Sequence, residues 1–557
     1  MLNSFEYSLP EAIKNVVESE IAHSDMIKSI WSRDATVWTG TDESKWLGWL
    51  DIVGEELSDL QKYRDLQTDI AAAQFEDVLL MGMGGSSLCP EVLALTFGKA
   101  NFHILDSTVP AQVKAVEDKL DLAKTLFIVA SKSGSTLEPN CFKQYFFDRV
   151  AQRVGLENAG KQFIAITDPG SKMEQVARED GFRHIFYGKP QIGGRFSALS
   201  AFGMTAAASM GIDVKQFLTR ANEMVDACRN EDTTANPGAM LGIILGGCHS
   251  AGRDKLTIFT SPEIHDLGAW MEQLVAESTG KNGVSIIPID REPIQPAEDY
   301  GDDRVFAFLS LQGNASMDDA YNNIAAVHPA ICINLESIDN LGQEFFRWEF
   351  ATAVAGAVMN LNPFDQPDVE SAKIEARKIT DEYENTGALP NEEAFFEADG
   401  VSLYSSDEHS KTLTGSSMGS GLKEILDAHL LQIVKGDYFA VLGYVEMNTE
   451  TEKLLQAIRE KVLARTGVAT CLGFGPRFLH STGQAYKGGA NNGVFLQITS
   501  DDAFDLGVPG QKYTFAVVKS AQARGDFQVL LDRGRRALRF HLGSDVIAGL
   551  NALNGLI

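Results

Sequence analysis

Positive charge is in short supply in this sequence: 48 Lys and Arg stand against 76 Asp and Glu, a formal charge of −28 over 557 residues. A chain with that balance repels polyanions at long range, which argues against nucleic acid and anionic membrane surfaces as partners. A small anionic ligand is still compatible, because backbone amides, hydroxyls and a few cations can build a local cradle for it. Cysteine is sparse and scattered. Cys89, Cys141, Cys228, Cys248, Cys332 and Cys471 form no CxxC pair and no Cys/His cluster of zinc spacing, so a disulfide scaffold is not expected and a reduced compartment is. Long apolar runs are missing too. The longest, around Ala239 to Cys248, is too short to span a bilayer, and Met1 to Glu6 has neither the basic nor the apolar segment of a secretory leader. A cytoplasmic protein is expected. With 17 Pro against 50 Gly, neither Pro-rich disorder nor a collagen-like repeat describes the chain.

What is present is the pattern of an α/β protein large enough for two or three domains. Residues 1–75 read as a helical lead-in, with Ile13, Val16, Val17, Trp46, Trp49, Leu50, Val53 and Leu57 at three- and four-residue intervals. Short apolar runs then alternate with helix-length stretches, beginning with Val78-Leu79-Leu80-Met81 and Leu126-Phe127-Ile128-Val129-Ala130. Parallel strands buried on both faces look like this. A first parallel, doubly wound domain is assigned to residues 76–249, its sheet ending near Pro190 and helices following. A second of the same kind is assigned to 250–380, with runs at Leu256–Phe259, Val284–Ile287, Val305–Leu309 and Ala330–Ile333. Residues 381–421, acidic and rich in Ser and Gly, read as a linker. A third α/β module is assigned to 422–557.

Two strand-to-helix turns carry donors suited to a phosphate. Gly82-Met83-Gly84-Gly85-Ser86-Ser87 follows the run ending at Met81, and its spacing is neither Walker A nor Gly-x-Gly-x-x-Gly. Ser131-Lys132-Ser133-Gly134-Ser135-Thr136 follows the run ending at Ala130 and packs hydroxyls and an ammonium into six residues. Open parallel sheets bind ligands at the carboxyl ends of their strands, where both turns lie. Gly193-Gly194-Arg195 offers a cation at a tight turn. In Trp270 to Lys281, Gln273 and Glu277 fall on one helix face, and a carboxylate at a helix C-terminus is expected to have a raised pKa suited to a general base. Asn362 to Lys373 is a Pro-punctuated loop leading into a helix that carries Lys373. Taken singly, Arg195 reads equally as a surface or structural residue, and Glu277 and Lys373 read more readily as a solvated helix-end carboxylate and an exposed helix lysine than as functional groups.

Together and in this order, GMGGSS, SKSGSTLEP, GGRFSALSAFG, QLVAESTGK and NPFDQPDVESAK resemble the phosphoglucose isomerase family, whose members carry two sugar-isomerase (SIS) domains. The resemblance runs from Gly82 to Lys373. It implies reversible conversion of glucose 6-phosphate to fructose 6-phosphate through ring opening and a cis-enediol, with no metal and no cofactor. It implies that Ser86, Ser131, Lys132, Ser133 and Thr136 hold the sugar phosphate, with Gly85 closing the turn. Glu277 would move a proton between C2 and C1, with Gln273 and Gln366 nearby. Arg195 would stabilise the enediol, and Lys373 would act near the ring oxygen. A non-catalytic phosphosugar-binding protein is the alternative reading.

One departure stands out. The family's ring-opening histidine is expected between the Glu and Lys motifs, where only His328 occurs and its setting does not match. Leu479-His480-Ser481-Thr482-Gly483-Gln484 reads like the missing segment displaced into the third module, and Gly473 to Gln484 is similar to the tail of transaldolase/phosphoglucose isomerase fusion proteins. His480, from this chain or from a partner in a homodimer, is the candidate to replace it. The same likeness suggests a functional link to a transaldolase.

Overall fold

The computed structural model describes residues 1–22, 25–416 and 421–557. Strand β1 (Glu6–Ser8) opens the chain, and short helices fill the rest of the lead-in. The first sheet contains β2 (Asp77–Met81), β3 (Phe102–Leu105), β4 (Thr125–Ala130), β5 (Phe163–Thr167) and β6 (His184–Tyr187), all parallel, in the order β3-β2-β4-β5-β6. The second contains β7 (Lys255–Thr260), β8 (Ile287–Asp290), β9 (Arg304–Leu311) and β10 (Ala330–Leu335), ordered β8-β7-β9-β10, with β1 antiparallel on the β10 edge. The third contains β11 (Phe396–Ala398), β12 (Val401–Tyr404), β13 (Tyr438–Gly443), β14 (Ala469–Phe474), β15 (Gly493–Ser500) and β16 (Arg536–Leu542). Its order is β14-β13-β15-β16-β12-β11, antiparallel only at β12 and β11.

The parallel parts of the three sheets share one winding: β3-β2-β4-β5, β8-β7-β9-β10 and β14-β13-β15-β16. Helices cover both faces of the central strands: every residue of β4, β13 and β15 is buried, and β4 and β13 are accordingly almost wholly apolar. The apolar stretch near residue 240 is a core helix, Pro237–Ser250, with Pro at its first turn and Asn236 Oδ1 accepting from the Ala239 amide at 2.9 Å. Its Gly242 and Gly246 lie against the Leu341–Val358 helix, where a Cβ would come within 2.6 Å of Val354 and Val358 respectively. No described helix is long and apolar enough to cross a membrane.

The structure departs from the sequence expectations in three places. The residue 381–421 stretch is not a plain linker: the Pro367–Thr386 helix runs into it, β11 and β12 extend the third sheet, and a further helix covers Asp407–Ser416. The Ser/Gly segment 417–420 lies outside the described residues. The strand expected at Val284 starts at Ile287, because the Ile286 amide is taken by Thr279 Oγ1 at 3.0 Å and Val284 pairs with Lys281 in an isolated bridge. The lead-in is not wholly helical, since β1 leaves it to pair with β10.

The third sheet's module packs on both others. Phe515 stacks on Phe142 (centroids 6.1 Å) and meets Tyr145 edge-on (5.6 Å), so the outer face of the first sheet shares a core with the tail. Ile287 and Ile289 of β8 share another core with Ala469 and Cys471 of β14. Buried Glu292 bonds both Arg304 of β9 (2.8 Å) and the Thr470 amide of β14 (2.9 Å). These contacts bring the carboxyl end of β14 towards that of β2.

Candidate active site

Beyond Met81 the chain makes one turn of 3-10 helix, Gly84–Ser86. Gly84 has φ +54°, and a Cβ there would lie 2.7 Å from the His480 carbonyl oxygen and 2.8 Å from Gln273 Nε2. A Cβ on Gly85 would lie 2.0 Å from the Gly194 carbonyl oxygen. Only glycine at these positions lets the β2 turn, the Arg195 turn and the His480 loop meet backbone to backbone. Beyond β4, Asn140 Nδ2 donates to the Gly134 carbonyl (3.1 Å) and the Thr136 carbonyl (2.8 Å) and folds the hydroxyl turn over the start of its helix.

These turns enclose a cleft of about 220 Å³, and every candidate residue except Ser133 lines it. Ser131 is buried and its hydroxyl has no hydrogen-bond partner among the described residues. Two expectations for the phosphate cradle change. Ser133 is exposed and its hydroxyl is shared with Ser135 Oγ at 2.7 Å. The Lys132 ammonium pairs with Asp168 and approaches the Lys189 and Pro190 carbonyls (3.2 and 3.3 Å), so it braces the turn. The donors free to face the cleft are therefore hydroxyls and amides more than a lysine.

The opposite wall is the Leu267–Thr279 helix, which presents Gln273 and Glu277 one turn apart. Gln273 Nε2 donates to Glu277 Oε2 (3.1 Å) and to the His480 carbonyl (2.8 Å), while its own Oε1 is buried without a partner among the described residues. Arg195 Nη1 lies 3.4 Å from Glu277 Oε1. The Arg195 guanidinium is held on every side: Nε by Ser278 Oγ (2.7 Å), Nη1 by Gln366 Oε1 (2.9 Å), Nη2 by the Pro363 and Asp365 carbonyls (2.7 and 3.0 Å). Burial disfavours its charge, and Glu277 and Asp365 oppose that shift. Lys281, buried behind it, bonds the Asn362 carbonyl (2.7 Å) and Asp365 Oδ1 (2.6 Å) and so fixes the Gln366 loop. Burial, with the Arg195 charge adding to it, pulls Lys281 down to about 8.

Lys373 reaches the cleft from the Pro367–Thr386 helix with its side chain 43% exposed, 3.7 Å from Glu370. The tail sets this helix: Gln484 Oε1 accepts from the Asp368 and Val369 amides at 2.9 and 3.0 Å. His480 enters from the turn beyond β14, and it is this chain's own histidine. Its Nε2 lies 2.9 Å from Glu138 Oε1. Glu138 is buried, which would raise its pKa, but the His480 charge and hydrogen bond bring it below the ordinary carboxylate range. Gln522 Nε2 donates to the same Oε1 (2.6 Å) and Thr108 Oγ1 to Gln522 Oε1 (2.7 Å). Glu138 and Gln522 were not among the sequence candidates. Glu138 stands inside the SKSGSTLEP motif, so its position was available, whereas nothing in the sequence singles out Gln522.

The phosphoglucose isomerase family model matches residues 63–290. A glucose-6-phosphate isomerase of Gloeothece citriformis is 30% identical over 363 residues, 56% of this chain and 68% of that protein. This chain belongs to the glucose-6-phosphate isomerase family. A probable glucose-6-phosphate isomerase of Methanococcus maripaludis is 26% identical over 369 residues, covering 58% of this chain and 82% of that protein. Two solved structures share the fold: a hypothetical protein from Thermus thermophilus (TM-score 0.60, 23% identity, 67% of this chain and 99% of that one) and a glucose-6-phosphate isomerase from Chlamydia trachomatis (TM-score 0.54, 18%, 68% and 88%). The stretch matching the phosphoglucose isomerase model contains Ser86, Ser131, Arg195, Gln273 and Glu277, while Lys373 and His480 lie beyond it.

Proposed function

We propose that this protein interconverts glucose 6-phosphate and fructose 6-phosphate, with Glu277 as the base. The observation that carries this reading is the Glu277 carboxylate in a cleft, within 3.4 Å of the Arg195 guanidinium and 3.1 Å of the Gln273 amide, facing the turns of Ser86 and Ser131. The sugar phosphate is held by the hydroxyls of Ser86, Ser131 and Thr136 and by amides of the Gly84–Ser86 turn, an uncharged cradle that suits a chain of such negative charge. Lys132, which also lines the cleft, braces the turn through its pairing with Asp168.

His480, its imidazole paired to Glu138, moves the proton between ring oxygen and anomeric hydroxyl that opens the pyranose, with Lys373 at the same end of the substrate. Glu277 then takes the proton from C2 and delivers it to C1. The developing enediolate oxygen is stabilised by Arg195, whose guanidinium is already fixed by four neighbours and reorganises little. Glu138 acts through His480 and is a positioning residue. The test is exchange of the C2 hydrogen of glucose 6-phosphate with deuterated solvent. Glu277→Gln, folded as the parent, should abolish both exchange and turnover, and normal exchange in that variant would overturn the assignment. The likeness of the tail to transaldolase fusion proteins makes a transaldolase the partner to seek by co-purification.

A further inference from the structure

Behind the His480 turn lies a second cavity of about 300 Å³ that the isomerase reaction does not use. It shares two walls with the catalytic cleft. The Leu267–Thr279 helix turns Glu272 into this cavity and Glu277 into the cleft, and the turn beyond β14 places Arg477 and Ser481 here while His480 faces the other side.

Three charged groups lining it are incompletely met: Asp290, whose unpartnered Oδ1 lies against Gly268, and Asp266 and Arg459. Asp266, 3% exposed, receives Arg291 Nη2 on Oδ1 at 2.9 Å, but its Oδ2 has no hydrogen-bond partner among the described residues. Arg459, 1% exposed, donates from Nε to Thr470 Oγ1 (3.1 Å) and from Nη1 to Gln456 Oε1 (3.4 Å), but its Nη2 has none. Arg477, by contrast, is spent on Glu91 and Asp106. Buried polar atoms left unmet are costly and rare in native proteins. A simple anion would satisfy Arg459 and leave Asp266, and a simple cation would do the reverse. No trio of His, Cys, Asp or Glu among the described residues is grouped to hold a metal ion. Burial, reinforced by Glu91, pushes Asp266 up to about 8, and burial, reinforced by Asp290, pushes Glu272 up to about 8. An ammonium brought beside them would favour their ionised forms.

We propose that this cavity binds a small zwitterion of the α-amino acid class, its ammonium held by Asp266 and its carboxylate by Arg459, and that occupation acts on the catalytic cleft through the shared turn and helix. The binding half is independent of the isomerase reading, and the coupling half rests on it.

Isothermal calorimetry on the full chain tests binding with each of the proteinogenic amino acids, with ethanolamine as the ammonium alone and acetate as the carboxylate alone. At least one amino acid should saturate with a Kd of about 1 mM or tighter, and both single-charge probes should bind at least about tenfold more weakly. Asp266→Asn, which keeps the side-chain shape, and Arg459→Lys should each weaken the amino acid by about tenfold or more, with circular dichroism confirming the fold. No saturable heat with any amino acid, equal binding of a single-charge probe, or undiminished affinity in a folded Asp266→Asn would overturn the site. At saturating amino acid the KM or kcat for fructose 6-phosphate should shift at least twofold, and unchanged kinetics with binding intact would overturn the coupling alone.

Discussion

His480 Nε2 sits 2.9 Å from Glu138 Oε1 across 342 residues of sequence, and Gln522 donates to that same oxygen at 2.6 Å. A carboxylate shared between an imidazole and an amide fixes the ring's orientation, and each partner comes from a different part of the chain: the helix after β4, the turn after β14 and the helix after β15.

Removing the imidazole should affect ring opening most. His480→Asn is expected to lower kcat by about 10²-fold, and Glu138→Gln, which keeps shape but loses charge, by about tenfold. Steady-state rates with fructose 6-phosphate check both, with KM expected to change little because neither residue belongs to the phosphate cradle.

For Glu277→Gln the amide still fills the space beside Gln273 and Arg195, so melting should be near normal. Turnover should fall by about 10³-fold or more, since an amide cannot accept the C2 proton. Coupled-enzyme assay and thermal melting, read together, check this.

Arg195→Lys is not conservative here. An ammonium cannot span Ser278, Gln366 and the two carbonyls that the planar fork reaches at once. The variant should lose about 10²-fold in kcat and also melt lower, because carbonyls at 363 and 365 are left unmet.

At Gly85 the obstacle is backbone, not a movable side chain: the added methyl of Gly85→Ala would overlap the Gly194 carbonyl at 2.0 Å. Pushing the two turns apart should cost about 1–3 kcal/mol in urea unfolding and raise KM for the phosphosugar, since the cradle opens. Gly193→Ala, where nothing lies within 4 Å of the new atom, is the control and should be near neutral in stability.

Asp266 and Glu272 rise from ordinary values of 3.8 and 4.5 to about 8, so the folded chain binds protons there that the unfolded chain releases. The stability they contribute is complete below about pH 4 and is lost as pH rises to about 8, at most about 1.4 kcal/mol per pH unit for each group. The titratable and charged groups facing them, Glu91, His265, Asp290, Arg291, Glu452, Arg459 and Arg477, are unchanged in an Asp266→Asn/Glu272→Gln double variant. Urea midpoints between pH 5 and 8 should fall less steeply in that variant than in the parent.

The sequence by itself determined what is local. Continuous apolar runs such as β4 specify buried parallel strands, and the Gly/Ser turns that follow β2 and β4 carry their chemistry within six residues. Its acidic balance also led to the expectation that any small anion is held by a local set of backbone amides, hydroxyls and a few cations. What depends on packing over long distances was decided only by the tertiary structure. The winding of the third sheet, the use of 381–421 as edge strands, the seat of His480 beside Glu138, and the pairing of Gln522 with Glu138 rest on contacts between residues far apart in the sequence. Such contacts have no periodicity to betray them. They form because the tail buries Phe515 on one sheet and the edge of β14 against β8, and that docking delivers a histidine that spacing alone left without an address.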